Sequence, residues 1–170
     1  QSVICYFFQE RGGEYMKEVW NLFYNGRVAQ IFQDNGKHKF FLDNVELVEY
    51  DEINRVIFDT NGDHYALEVR DNGKEFICLD GIEYPAYKAV DCTVFSPYGT
   101  NFAYRAMKDN GKYCVVINGK ESKEYDNVLN LFYNPAGILF YCAAINGIWR
   151  AVLHDREDDL DGITFVASLY

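Results

Sequence analysis

Proline is scarce in this chain, three in 170 residues, while 49% of the residues are hydrophobic and 25% charged. Such a composition excludes a disordered or collagen-like chain and fits one globular domain with a sizeable core. Long apolar runs are also missing. Stretches such as Leu139–Ile145 fall well short of the roughly 20 residues that a membrane-crossing helix needs, so no membrane insertion is expected. There is no excess of positive charge either. Twenty-six acidic against sixteen basic residues give a net charge of −10, which repels phosphate backbones and argues against a nucleic-acid partner. The five cysteines, Cys5, Cys78, Cys92, Cys114 and Cys142, form no CxxC pair and are odd in number. Zinc and thioredoxin-like readings fail, and reduced thiols packed as small hydrophobes are expected.

Catalytic signatures are equally thin. His38, His64 and His154 lack metal-ligand spacing. No G-x-S-x-G surrounds Ser2, Ser96, Ser122 or Ser168. The glycines are absorbed by turns, leaving no phosphate cradle. The run Glu157–Gly162 alternates oxygens as a calcium loop does, but Ser168 stands where a bidentate carboxylate is required, so it reads as a solvated acidic turn. No catalytic residue, metal or cofactor is expected, and the chain reads as a non-enzyme.

What the chain has in quantity is hairpin turns. Asn-Gly pairs begin at Asn25, Asn35, Asn61, Asn72, Asn110, Asn118 and Asn146, with Asp-Gly at Asp80 and Asp161. A two-residue type I′ turn needs positive φ at both central positions, which these pairs supply at little cost. Between them lie short segments rich in aromatic and β-branched residues, such as Tyr113–Ile117, which read as strands. No helix is expected.

The turns keep a rhythm. Tyr50 with Ile53, Tyr87 with Val90 and Tyr125 with Val128 repeat a Tyr-x-x-Val/Ile motif, echoed by Tyr15 with Val19 and by Leu160 with Ile163. The closing aliphatics are 34, 37, 38 and 35 residues apart. An aromatic leading into a turn follows each motif, as in Leu22–Gly26, Ile57–Gly62, Val94–Gly99 and Leu131–Gly137, and a further Asn-Gly lies about eleven residues on. Each unit has room for four short strands. A lone four-stranded meander cannot bury both faces, so neighbouring units must cover it, and radial repetition does this with only short edges left to water. The reading is an all-β β-propeller of ~37-residue four-stranded repeats, at 20–53, 54–90, 91–128 and 129–163. An open stack of sheets or a meandering barrel is the alternative.

The segment Phe95-Ser96-Pro97-Tyr98-Gly99, then Phe102-Ala103-Tyr104, Asn110-Gly111-Lys112 and Asn118-Gly119-Lys120, resembles the repeat of bacterial TolB-type, WD-repeat-like propellers. Asp59 and Asn134 stand where that pattern expects Ser, and Tyr98 and Ala136 where it expects Asp. The resemblance implies a protein-holding rim and an extracytoplasmic location, periplasmic or secreted, and brings no catalytic motif.

Val3–Val19 lies over Lys112–Val128 in the repeat, which starts the chain at a third strand, and the stretch after Ile163 continues as a first strand. A five-bladed ring follows, its closing blade shared by residues 1–19 and 164–170. The alternative is a segment of a larger propeller, whose exposed end strands would favour a dimer. The opening Gln1 fits a mature product after signal removal or a piece of a longer chain.

The recurring Tyr50, Tyr87 and Tyr125 are expected to pack between blades with their hydroxyls on neighbouring backbone. Lys37, Lys74, Lys112 and Lys120 read as charges that keep hairpin tips wet. Binding is expected where units differ, on loops: Arg11 in the Arg11-Gly12-Gly13 turn, Asp51, Glu52 and Arg55 after the first motif, and Tyr84 and Pro85. The functional expectation is a scaffold binding a protein or peptide. A lectin-like propeller taking a small sugar, or the propeller portion of a hydrolase, are the alternatives.

Overall fold

The chain, in a computed structural model, is described over residues 8–11, 14–99 and 101–153, with side chains from residue 20 onward. These residues form four antiparallel sheets and no helix. The first sheet holds β1 (Phe8–Arg11), β2 (Glu14–Tyr24), β3 (Arg27–Asp34), β4 (Lys37–Leu42) and β5 (Val45–Tyr50). The second holds β6 (Glu52–Phe58), β7 (Tyr65–Asp71), β8 (Lys74–Leu79) and β9 (Ile82–Glu83). The third holds β10 (Ala89–Phe95), β11 (Phe102–Met107), β12 (Tyr113–Ile117) and β13 (Lys120–Glu121), and the fourth β14 (Asn127–Tyr133), β15 (Leu139–Ile145) and β16 (Ile148–Leu153). Spatial order follows chain order in every sheet. No described helix is long and apolar enough to cross a membrane.

Turn chemistry sets the hairpins. Asn25-Gly26, Asn35-Gly36, Asn72-Gly73, Asp80-Gly81, Asn118-Gly119 and Asn146-Gly147 take positive φ at both residues, as type I′ turns require. Asn61-Gly62 and Asn110-Gly111 differ. Only the glycine is left-handed there, and its N–H bonds the carbonyl three residues back, on Asp59 and Lys108. Ser96–Gly99 and Asn134–Gly137 close in the same way. The Asp161-Gly162 turn lies outside the described residues.

The Tyr-x-x-Val/Ile motif proves to be the crossover between sheets. Tyr50 ends β5 and Ile53 sits in β6; Tyr87 and Tyr125 bridge back to Glu75 and Tyr113, while Val90 and Val128 begin the next sheets. The sheets therefore change over a few residues before the unit limits at 53, 90 and 128.

Three cores fill the spaces between successive sheets. Side chains alternate across a strand, so β7 sends Leu67 and Val69 into the first core and Ala66 into the second. Its first five residues are all buried, as in a sheet covered on both faces. The first strands of successive sheets touch, β6 with β10 and β10 with β14, so the sheets converge along that side. β2, β6, β10 and β14 each carry a bulge, where the pairing register shifts between Glu18 and Trp20, Ile53 and Arg55, Asp91 and Val94, and Leu129 and Phe132.

The chain's beginning departs from expectation. Residues 8–19 do not form part of a separate closing blade: β2 runs unbroken from Glu14 to Tyr24, and β1 pairs along it as the edge of the first sheet. Tyr15 and Val19, expected as an echo of the motif that proves to be a crossover elsewhere, lie inside β2 instead, while Arg11 pairs with Glu14 across the expected turn. Among the described residues the four sheets do not close into a ring. Residues 164–170, the expected last strand, lie outside them, as do Cys5, His154 and the acidic run at 157–162. Cys78, Cys92, Cys114 and Cys142 are free thiols, two buried and two half-buried.

Candidate functional site: the hairpin-tip face

In the second to fourth sheets the hairpins joining first to second and third to fourth strands share one end, with β2–β3 and β4–β5 of the five-stranded first sheet, and the crossovers occupy the other. The two ends are built differently.

The crossover end is latched by charge. Lys37 Nζ lies 2.7 Å from Asp51 and 3.4 Å from Asp71, while the other Asp51 oxygen accepts the Asn72 N–H at 2.8 Å. One repeat pair on, Lys112 binds Asp126, which accepts the Asn146 N–H at 2.6 Å. Between them Lys88 occupies the aspartate position, and Lys74 reaches Asp109 directly at 2.7 Å. The Lys37 ammonium, then the Asn72 N–H, holds Asp51 below the usual carboxylate range; Lys112, then Asn146, does the same for Asp126. These lysines join units rather than merely wetting turns. The recurring tyrosines also differ from expectation: Tyr50 and Tyr87 donate to the Glu83 and Glu121 carboxylates at 3.0 and 2.9 Å, and the Tyr125 hydroxyl lies 3.3 Å from that of Tyr141, not on backbone. Carboxylates on the next sheet outcompete carbonyls already engaged in ladders.

The six residues singled out from the sequence are spread through this framework. Asp51 is a latch. Glu52 and Arg55 pair across the ladder with Arg70 and, at 3.8 Å, Glu68. The Tyr84 ring packs edge-on against Phe102, centroids 5.0 Å apart, and Pro85 is exposed beside it. Arg11 ends β1, paired with Glu14; its side chain lies outside the described residues. Arg55 lines a cavity of about 400 Å³ with Trp20, Leu22 and Ile53, and Asp51, Glu52, Tyr84 and Pro85 do not. The six do not gather into one site.

The hairpin end interlocks through fewer charges, the Arg27 guanidinium pairing with Asp43 at 2.6 Å and donating to the Gly62 carbonyl of the next tip at 3.1 Å. Tyr24 stacks on Phe58 at 5.5 Å, and Asn25 Nδ2 donates to the Thr60 carbonyl at 2.9 Å. The second tip meets the third where Asp59 presses on Gly99: a Cβ there would lie 2.5 Å from Asp59 Oδ2. The third meets the fourth through Tyr98, whose hydroxyl donates to the Pro135 carbonyl at 3.4 Å and whose ring lies 3.9 Å from the Cβ position of Gly137. Asp59, Ser96 and Asn134 do one job, each accepting an N–H across its own turn, from His64, Asn101 and Ile138.

Tyr98 is 67% exposed in this setting. Around it, Ser96–Gly99 and Asn134–Ile138 hold no charged residue, and Pro135, Ala136 and Ile138 are exposed. A rigidly seated aromatic among prolines and small apolar groups, on a chain of net charge −10, has the composition of an interface centre. Sequence reasoning passed over Tyr98 because the aromatic-then-turn pattern served as a fold marker; the signal available was the lack of charge in two adjacent repeats. Among the described residues no group of three or more His, Cys, Asp or Glu could hold a metal ion.

No protein-family model matches the chain, and no curated protein matches it in sequence. Among solved structures it is similar to a chain described as a putative 6-phosphogluconolactonase from Bacteroides uniformis ATCC 8492, with a TM-score of 0.41 and 12% identity over 81% of this chain. The match spans 54% of that protein, about half its length. A likeness at this level carries no activity across. The expectation of a non-enzyme is withdrawn, since a missing short motif is no evidence against catalysis.

Proposed function

We propose that the four sheets are successive blades of a β-propeller, and that the molecule is a scaffold binding a protein or peptide on its hairpin-tip face. The convergence of first strands and the burial of the middle sheets on both faces support the radial arrangement. Tyr98 carries the binding reading: a large aromatic kept 67% exposed on an interlocked, uncharged platform. Hairpins fixed to their neighbours lose little entropy when a partner docks, which favours recognition on this face.

The test is selection of binding peptides from a displayed random library, followed by mapping with amide hydrogen exchange. Selected peptides are expected to protect 97–99 and 134–138, and Tyr98→Ala is expected to weaken them by about 2 kcal/mol or more, about thirtyfold, while the chain keeps its β-sheet circular dichroism at the assay temperature. Peptides whose footprint falls at the crossover end, or whose affinity survives Tyr98→Ala, would overturn the reading.

A further inference from the structure

The repeat aligns Gly81-Ile82-Glu83-Tyr84 with Gly119-Lys120-Glu121-Ser122, and Tyr87 with Tyr125. The backbone follows the same path in both, since the Tyr84 N–H donates to the Ile77 carbonyl at 2.9 Å and the Ser122 N–H to the Val115 carbonyl at 2.8 Å. The side chains part company. The Tyr84 ring fills the space between the second and third sheets, edge-on to Phe102 and 3.1 Å from the Cβ position of Gly119. Ser122 turns its hydroxyl back on its own backbone, donating to the Lys123 carbonyl and accepting from the Val115 N–H. Where a ring would be, a cavity of about 720 Å³ opens between the third and fourth sheets.

This volume lies within the range of small-ligand sites. Tyr125 and Tyr141, both buried, line it with the apolar walls Ile117 and Val152. Lys120 and Lys123 line it too, the Lys123 ammonium 5.7 Å from the centre of the Tyr125 ring. Glu121 adds a carboxylate, but one already held by the Lys108 ammonium at 2.6 Å and the Tyr87 hydroxyl at 2.9 Å. The lining thus holds two ammonium groups and one carboxylate together with the Asn101 and Asn118 amides, which suit hydroxyl groups, and tyrosine edges for a ring to rest on.

We propose that this cavity is a binding site for a small hydroxylated organic anion, such as a sugar acid, opened by the loss of the ring at position 122. It is a single site, not one per sheet. Asn101 and Asn118 in its lining place it at the hairpin end, beside the Tyr98 loop, and its test at position 122 is independent of Tyr98. Titration calorimetry with D-glucuronate, D-glucose and acetate tests it on the full chain. D-glucuronate is expected to bind saturably at one site, at least tenfold tighter than either D-glucose or acetate. Ser122→Tyr, which restores the ring, is expected to abolish that binding while leaving the melting temperature equal or higher; Ser122→Leu serves if the tyrosine variant does not fold. Lys120→Ala with Lys123→Ala is expected to weaken binding at least tenfold. Absence of saturable glucuronate binding, or binding that persists when position 122 is filled, would overturn the site, and equal binding of D-glucose would overturn the anionic class.

Discussion

At the scale of single residues, two histidines pull stability in opposite directions with pH. His38 Nδ1 accepts the Ile53 N–H at 3.1 Å, and burial lowers its pKa. A lowered folded pKa means this contribution is present above the ordinary histidine value near 6.5 and is lost as pH falls through the folded value. His64, 2.7 Å from Asp80, has its pKa raised chiefly by that hydrogen bond. Its contribution is present below pH 6.5 and is lost as pH rises through the folded value. Melting curves between pH 8 and 5 are therefore expected to lose their acid-side fall in His38→Gln and their alkaline-side fall in His64→Gln. Opposite behaviour would show that the two rings have been assigned the wrong surroundings. The Tyr133 hydroxyl is buried without a hydrogen-bond partner among the described residues, and burial pushes its pKa up to about 12. Removing an unpaired buried hydroxyl is neutral or stabilising. Tyr133→Phe should hold or raise stability by up to ~1 kcal/mol in urea unfolding.

At the scale of elements, the hairpin tips bear directly on stability. Gly99 has φ +69° and sits against Asp59, which is buried. A side chain there meets backbone strain and a carboxylate at once. Gly99→Ala is expected to cost ~2 kcal/mol or more by urea unfolding, whereas Gly36→Ala, also left-handed but in open space, should cost only the conformational ~1 kcal/mol. Within β7, Leu67 is fully buried between two sheets, and Leu67→Ala should cost ~2–5 kcal/mol. The all-β pattern, the strands and most turns were legible because Asn-Gly chemistry and period-two alternation are local. The bulges were not. They arise where a first strand must bend against its neighbours, and Cys92 and Asn130, both at φ 56°, share no residue type that would announce the site. The length of β2 was hidden because Tyr15 and Val19 echo the Tyr-x-x-Val spacing that elsewhere marks a change of sheet, whereas here they continue one strand.

At the scale of the whole molecule, the stack has two ends that differ from its middle. Phe23 at the first sheet's tip is 73% exposed and Phe132 on the fourth sheet 50%, whereas Phe58 and Val94 inside the stack are packed against the cores, and Phe32 and Phe41 on the first sheet's far face are buried against each other. The sheets next to these ends have one described neighbour instead of two, so fewer contacts hold them. Native-state hydrogen exchange is expected to be slowest in β7 and β11 and faster in β16, most of whose residues are not buried; uniform protection across all four sheets would contradict a stability that is summed from neighbour to neighbour. The candidate site was the least legible feature. Tyr98 acquires meaning only once Pro135 and Gly137, thirty-odd residues away, are seen beneath it, and the cavity at Ser122 appears only by setting one unit's geometry over another's.

The tip-to-tip contacts have a mechanical consequence. Each hairpin tip is wedged against a glycine of the adjoining one, so the layers resist sliding past one another with no disulfide among the described residues to hold them. Pulled from its two ends, such a molecule would not yield all at once but would shed its layers singly, giving a force trace with separate teeth. Gly99→Ala, by lifting one wedge, would blunt a single tooth and leave the others in place.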